Sequence, residues 1–241
     1  MKIGVLGPNG RMGKMIVAEI GSHAQASAMP ITRNDNKDDA FKACDVIIDF
    51  TAVESLIDHA ALAHQYGRAL VIGTTGLGPA EYAAIETAAK RAPILQSGNM
   101  SLGINLLLSL VEQAAKKLGD GYDIEIFEAH HRHKVDAPSG TALMLGEAAA
   151  KGRNIKLKDA MIPARFGQTG QRIKGSIGFS VFRGGDVIGD HTVTFAGPSE
   201  RIEIAHKASD RGLFAKGAVK AAIWLKDKPA GLYTMQDVLG L

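Results

Sequence analysis

Residues 2 to 20 read KIGVLGPNGRMGKMIVAEI. The first five form a short apolar strand, Gly7-Pro8-Asn9-Gly10-Arg11-Met12-Gly13 is a glycine turn, and KMIVAEI carries apolar residues at helical spacing. Strand, glycine turn and helix in that order open a dinucleotide-binding βαβ unit. One glycine makes the bend, one lets the backbone approach a pyrophosphate, and one lets the helix pack against the strand. The spacing is G-x-x-G-x-x-G rather than G-x-G-x-x-G, and an ordinary strand-to-helix turn is the plainer reading of the glycines alone. A nucleoside-triphosphate loop fits less well, because Lys14 is followed by Met15 and not by Ser or Thr.

Outward from this turn the alternation continues. Residues 26 to 33, ASAMPITR, are a poorly defined second strand. An acid about 20 residues past the glycines commonly holds the ribose hydroxyls. Here Arg33 stands without an acid directly before it, and Asp35 follows. An arginine there pairs with a 2′-phosphate and favours NADPH, or it is an exposed loop residue, so NADPH and NADH both stay open. CDVIIDFT (44–51) reads as a buried strand, 52–66 as a helix, ALVI (69–72) as a strand, PAEYAAIETAAKRA as a helix and PILQ (93–96) as a strand. The pattern predicts an α/β, Rossmann-like, doubly wound parallel sheet. Loops at the carboxyl ends of such strands line the cofactor crevice, which brings in Gly73, Thr74 and Thr75, and then Ser97, Gly98, Asn99 and Met100.

Beyond residue 101 the pattern changes. A long helix over 103–118 is followed by strand-like segments at 122–130, 174–185, 186–197 and 200–209, several alternating apolar and polar residues. This predicts a second α+β domain with an open mixed or antiparallel sheet. The closing segment from Phe214 returns to a helix that packs on the first domain. The expected boundaries are 1–101, completed by 211–241, and 102–210.

The chemistry concentrates in Glu128 to Ala142, EAHHRHKVDAPSGTA: three of the chain's eight histidines fall within four residues, beside Arg132 and Lys134. Crowded cations repel when charged and are costly to desolvate without an anion, so an anionic ligand is the natural counterpart. Ser139, Gly140 and Thr141 lead into the helix-forming run ALMLGEAAAK, which places them at a helix N-terminus, where free N–H groups and the helix dipole favour a carboxylate or phosphate. A solvated surface run is the bland alternative. A metal site built on His130 and His133 is weaker, since no Cys stands nearby and Arg and Lys repel a cation.

At 241 residues, 46% hydrophobic and with a formal charge of +3, the chain can bury one large core or two ordinary ones, and nucleic acid is a poor partner for so small an excess. The start has no secretory pattern and no apolar run reaches the roughly 18 residues that span a bilayer, so a cytoplasmic protein is expected. One cysteine, Cys44, excludes an internal disulfide, and its place beside VIID points to burial rather than to a nucleophile.

GRMG (10–13), DFT (49–51), IGTTG (72–76), GNMSLGIN (98–105), HHRHKVDAPSGTA (130–142) and HKASDRGLFAKGAVKAAIWL (206–225) together closely resemble the dihydrodipicolinate reductases of the bacterial and plant lysine pathway, over almost the whole chain. The resemblance implies NADH- or NADPH-dependent reduction of a cyclic imine dicarboxylate and a homotetramer built by the second domain's sheet. It implies His130 as proton donor and Lys134 as a second acid, with His131, Lys134, Ser139, Gly140 and Thr141 on the substrate carboxylates. Gly7, Pro8, Asn9, Gly10, Arg11, Met12, Gly73 to Thr75 and Ser97 to Met100 would meet the cofactor, and no metal is implied. Residues 26–44 are shorter than the family pattern and lack its usual acid. Two other classes compete: a thioester-forming dehydrogenase, for which Cys44 is badly placed, and a non-catalytic NAD(P)-binding sensor, which has no use for the His-Lys cluster.

Overall fold

The computed structural model describes residues 1–241. Its elements run β1 (Lys2–Leu6), α1 (Arg11–Gly21), β2 (Ser27–Ile31), α2 (Lys37–Ala43), β3 (Val46–Asp49), α3 (Leu56–Tyr66), β4 (Ala69–Ile72), α4 (Pro79–Ala89), β5 (Pro93–Gln96), α5 (Leu102–Leu118), β6 (Asp123–His130), α6 (Gly140–Gly152), α7 (Leu157–Ala160), β7 (Met161–Ile162), β8 (Ile177–Arg183), β9 (Asp190–Ala196), β10 (Arg201–Lys207), α8 (Gly212–Leu225), β11 (Gly231–Tyr233) and α9 (Met235–Leu239). The chain forms two compact units, Met1–Leu102 with Gly212–Leu241, and Gly103–Arg211. No helix is long and apolar enough to cross a membrane.

The first unit is a six-stranded sheet in the order β11-β5-β4-β3-β1-β2, and every pairing is parallel. Its short strands are apolar throughout because both faces are covered. Val46 and Ile48 of β3 point into the cluster formed with α1 and α8, while Ile47 between them points into the opposite cluster with Phe41, Leu56 and Ile85. The order reverses direction between β1 and β3, the switch point at which a crevice opens beyond the carboxyl ends of the strands.

Several expectations are adjusted here. Strand β2 is an edge strand with Pro30 exposed, which explains its weak pattern. Strand β3 stops at Asp49, so Phe50 and Thr51 belong to the crevice loop, and a single 3₁₀ turn, Val53–Ser55, precedes α3. Helix α2 was not anticipated. Its signals are the Asn36 side chain accepting from Asp39 N, Asp38 and Asp39 in the first turn and Lys42 in the last. Nor was β11 anticipated: the closing segment is not helical throughout, and it adds three residues to the sheet beside β5.

The second unit is a five-stranded mixed sheet, β10-β9-β6-β8-β7, in which β6 runs parallel to β8 and antiparallel to β9. Its inner face carries rows of side chains set by register. Ile124 lies beside Ile177 and Phe195, and Ile126 beside Phe179 and Val193; both rows pack on α5 and α6. Continuing two residues at a time along β6, the same face presents Glu128 beside His191, then His130 beside Arg183. The period-2 geometry that builds the core thus delivers the polar residues to its end. The outer face leaves Phe127 and Phe182 substantially exposed.

Helix α8 packs on its unit through Ala215, Ala218, Val219 and Ala222, and it passes the chain after β5 at a glycine: a Cβ on Gly217 would overlap the Met100 carbonyl. Gly217→Ala is expected to destabilise the protein by about 1–3 kcal/mol through overpacking against backbone that cannot yield. A urea midpoint equal to that of the wild type would contradict this close approach.

Candidate active site

Glu128 is fully buried and its carboxylate accepts four hydrogen bonds. Arg183 Nη1 and Nη2 donate at 2.7 Å each to separate oxygens, His130 Nδ1 donates at 2.6 Å, and the Ser139 backbone N–H donates at 2.9 Å. Burial opposes the charged carboxylate, but the bonds from Arg183, His130 and Ser139 outweigh it and hold the pKa below the ordinary value. An ionised carboxylate only accepts, so His130 carries its hydrogen on Nδ1 and its Nε2 is the atom left for proton exchange. Gly189 leaves room beside it, since a Cβ there would stand 3.1 Å from that nitrogen.

Three further groups bear on His130. Its ring meets His191 edge-on at 5.1 Å between centroids. Burial pushes the His130 pKa down, the bond to Glu128 opposes this, and the charges of Lys134 and Arg183 add to the depression, leaving it below the ordinary imidazole value. His191, itself buried, is pushed down to about 4, first by burial and then by the repulsion that a second proton would meet from His130, against which Glu128 acts. At neutral pH the two rings are therefore largely uncharged, in a site whose fixed charges on Lys134 and Arg183 are positive.

The loop after β6 delivers the remaining candidates. Lys134 donates to Asp136 at 2.7 Å, which places that cation on a carboxylate within its own loop, and Asp136 is held below its ordinary pKa chiefly by this bond. Arg183 also donates to the Asp136 carbonyl at 2.7 Å and pins the loop. Ser139 caps α6 by accepting from Ala142 N at 3.1 Å, and its hydroxyl lies 3.2 Å from His191 Nε2. Gly140 and Thr141 are the first two residues of the helix, with Gly140 exposed. His131 lies 3.3 Å from Arg211 through Nε2, whereas Arg132 and His133 are exposed. His130, Lys134 and the Ser139 to Thr141 helix start are thus brought together by the bonds of Glu128, Arg183 and Asp136, with His131 next to His130 in the chain. No group of three or more His, Cys, Asp and Glu side chains is arranged to hold a metal ion.

In the first unit the other candidates gather at the carboxyl ends of the strands. Gly7 adopts φ +65° and its carbonyl accepts from Gly10 N at 3.1 Å; a Cβ on Gly13 would overlap that carbonyl. Helix α1 begins with no side-chain cap and no acid in its first turn, so its N–H groups and dipole are open to an anion. This glycine cradle fits the pyrophosphate of a dinucleotide. Pro8 is buried and Met12 packs on the core, while Asn9, Gly10 and Arg11 are exposed. Thr74 is buried and Thr75 exposed on the second loop. Ser97 Oγ donates to the Asn99 carbonyl at 2.8 Å and shapes the third, where Gly98 is exposed. Met100 belongs to the hydrophobic core, so what it offers the crevice is backbone. Arg33 is exposed just past β2, and Asp35 is occupied by its own turn, accepting from Thr32 N and Oγ1 at 2.7 Å each.

The sequence reading missed the partners that organise both regions. Glu128 stood inside the quoted stretch without a role, and Arg183 and His191 lay outside it. Likewise Asp49, fully buried, accepts from Thr51 N and Oγ1 at 2.8 and 2.6 Å and from His59 Nδ1 at 2.7 Å, while the Thr51 carbonyl accepts from Thr74 Oγ1 at 2.9 Å. This chain ties the loop after β3 to the loop after β4. An acid inside an apolar strand was the available signal, since buried carboxylates require partners.

Comparison with known proteins gives the family and the fold. Residues 1–100 match the family model described as dihydrodipicolinate reductase, N-terminus, and residues 103–239 the one described as dihydrodipicolinate reductase, C-terminus. The 4-hydroxy-tetrahydrodipicolinate reductase of Dinoroseobacter shibae is 48% identical over 98% of this chain and 97% of its own. That of Allorhizobium ampelinum is 49% identical over 100% and 98%. Among solved structures, the dipicolinate-bound dihydrodipicolinate reductase of Paenisporosarcina sp. TG-14 superposes with a TM-score of 0.79 at 20% identity, covering 98% of each chain, and shares the fold.

The depressed pKa of His191 has a consequence for stability. Between about pH 4 and the ordinary value of 6.5 the unfolded chain binds a proton at this ring that the folded chain does not, so stability rises with pH through that window and is lost on acidification. The contribution is about 3 kcal/mol. Denaturant midpoints should fall from about pH 7.5 to about pH 5 in the wild type and fall less steeply in His191→Gln. An equal pH dependence in the two proteins would contradict the assignment of a buried neutral ring.

Proposed function

The chain belongs to the dihydrodipicolinate reductase family, and on that premise we propose that it catalyses the NAD(P)H-dependent reduction of 4-hydroxy-tetrahydrodipicolinate, a cyclic imine dicarboxylate, to tetrahydrodipicolinate in lysine (diaminopimelate) biosynthesis. The observation that carries this reading is His130. Its Nδ1 is committed to Glu128 and its Nε2 is free, at the end of β6, where the following loop brings Lys134 and a helix N-terminus.

The nicotinamide cofactor, when bound, supplies the hydride. Reduction of a conjugated imine sends electron density toward the ring nitrogen, so the protein must furnish a proton and hold two carboxylates. His130 Nε2 is the proton donor, and Lys134 is a second acid that stabilises developing charge. Lys134 reaches the substrate by exchanging its Asp136 partner for a substrate carboxylate. The Ser139 to Thr141 helix N-terminus, with His131 and Lys134, takes the carboxylates through side chains and the backbone N–H groups beyond that of Ser139, which Glu128 occupies. A sensor without turnover would need the glycine cradle but would gain nothing from a histidine whose tautomer is fixed by a buried carboxylate.

On the cofactor side, Gly7 to Met12 take the pyrophosphate, and Gly73 to Thr75 with Ser97 to Met100 line the rest of the crevice. Asp35 is bound by its own turn and cannot readily serve ribose hydroxyls, and the exposed Arg33 is free to pair with a 2′-phosphate, which favours NADPH over NADH. The outer face of the second sheet, with Phe127 and Phe182 exposed, together with the exposed Phe166 and Ile173 of the loop between β7 and β8, is the surface for assembly into a homotetramer.

The test is the oxidation of NADPH and NADH by the purified protein, with substrate generated in place by condensing pyruvate with aspartate semialdehyde. Oxidation that depends on the condensation, faster with NADPH and with that preference lost in Arg33→Ala, is expected. His130→Gln should lower kcat by about a hundredfold with little change in KM, and Lys134→Ala should lower it at least as much. Cofactor binding without turnover would contradict the proposal.

A further inference from the structure

A buried carboxylate needs about one unit of compensating positive charge, and two groups beside Glu128 can supply it. Arg183 is cationic at every relevant pH and meets both oxygens at 2.7 Å; His130 would meet the need only by holding a proton on each ring nitrogen. With Arg183 in place the need is already met. We propose that Arg183 is a positioning residue for the reduction, acting through Glu128. It keeps the carboxylate ionised so that His130 stays in its Nδ1–H tautomer, and it removes the electrostatic reason for His130 to retain a second proton. Nε2 then takes up a proton when a dianionic substrate arrives and gives it up readily. This inference rests on the reading of His130 as the proton donor.

The groups facing His130 all bear on its charge. Glu128 on β6 is the only anion bonded to it. Arg183 on β8 and Lys134 on the following loop each disfavour the imidazolium, while His191 on β9 meets the ring edge-on as a neutral group, and His206 on β10 stands opposite His191 in register. Asp136, the other nearby acid, is engaged by Lys134. Arg183 also holds the Asp136 carbonyl, so the same guanidinium fixes the loop that carries Lys134. Its separation of 55 residues from Glu128 in sequence makes it a tie between two strands as well as a charge. A protonated imidazole of lowered basicity is the better acid, which is what delivery of a proton to an imine nitrogen requires.

The experiment is the pH profile of kcat/KM for the wild type, Arg183→Gln, Arg183→Lys, Glu128→Gln and His130→Gln, with thermal melts to establish folding. Activity that depends on a protonated His130 is lost as pH rises through its pKa. Arg183→Gln leaves the Glu128 charge bearing on His130 alone and should move that high-pH limb upward by about one unit, with kcat near neutrality lowered about tenfold. Arg183→Lys, with a single ammonium against two oxygens, should fall between Arg183→Gln and the wild type. Glu128→Gln should move the limb the other way. Should Arg183→Gln or Glu128→Gln fail to fold, the upward displacement is read from Arg183→Lys. Limbs that stay at the wild-type pH in the folded Arg183 and Glu128 variants, whatever the loss of rate, would reduce the pair to a structural role and overturn the inference. A wild-type limb retained in His130→Gln would overturn the donor reading itself, whatever the pair does.

Discussion

The carboxylate of Glu128 is the constraint on which the second unit's site depends. It has no exposure to solvent, and its four hydrogen bonds come from three different places in the chain: the strand that carries it, the neighbouring strand β8, and the residue that caps α6. Removing one partner from such a buried charge costs about 3–5 kcal/mol, so the arrangement is held as a unit rather than as separate contacts. The same bonds set the direction of the His130 ring, the entry of α6 and the path of the loop between them.

This explains why a cluster of cations is tolerated. Lys134 and Arg183 are both cationic, but the Glu128 carboxylate faces Arg183 with two of its four bonds, that of Asp136 is lent to Lys134, and burial keeps His130 and His191 largely neutral. The net result is a cluster short of negative charge, which is what the proposed dicarboxylate substrate would supply. The first unit solves a related problem with one acid. Asp49, buried at the end of an apolar strand, fixes Thr51, whose carbonyl in turn holds Thr74, so the loops after β3 and β4 are tied by a polar chain that reaches back to His59 in α3.

The sequence made local features legible and left long-range ones hidden. The glycine turn, the capped start of α6 and the apolar strands of the parallel sheet are each written within a dozen residues, and local steric and hydrogen-bonding rules suffice to read them. Helix α2 carried its own cap at Asn36 and was overlooked because a weak edge strand precedes it. The three residues of β11 have no periodicity to display; only pairing with β5 makes them a strand. The roles of Glu128, Arg183 and His191 depend on register across three strands, with Arg183 lying 55 residues from Glu128 and His191 lying 52 from Ser139, and nothing short of the folded sheet places them. The resemblance to a reductase family singled out the loop after β6 but did not reveal what holds it.

The most direct measurement of the central claim, that His130 is kept uncharged until an anion arrives, is calorimetric titration of the protein with dipicolinate, a planar cyclic dicarboxylate, near neutral pH in buffers of differing ionisation enthalpy. The account predicts uptake of up to about one proton per site on binding, an uptake that disappears in His130→Gln. Binding with no buffer dependence of the heat in the wild type would contradict it.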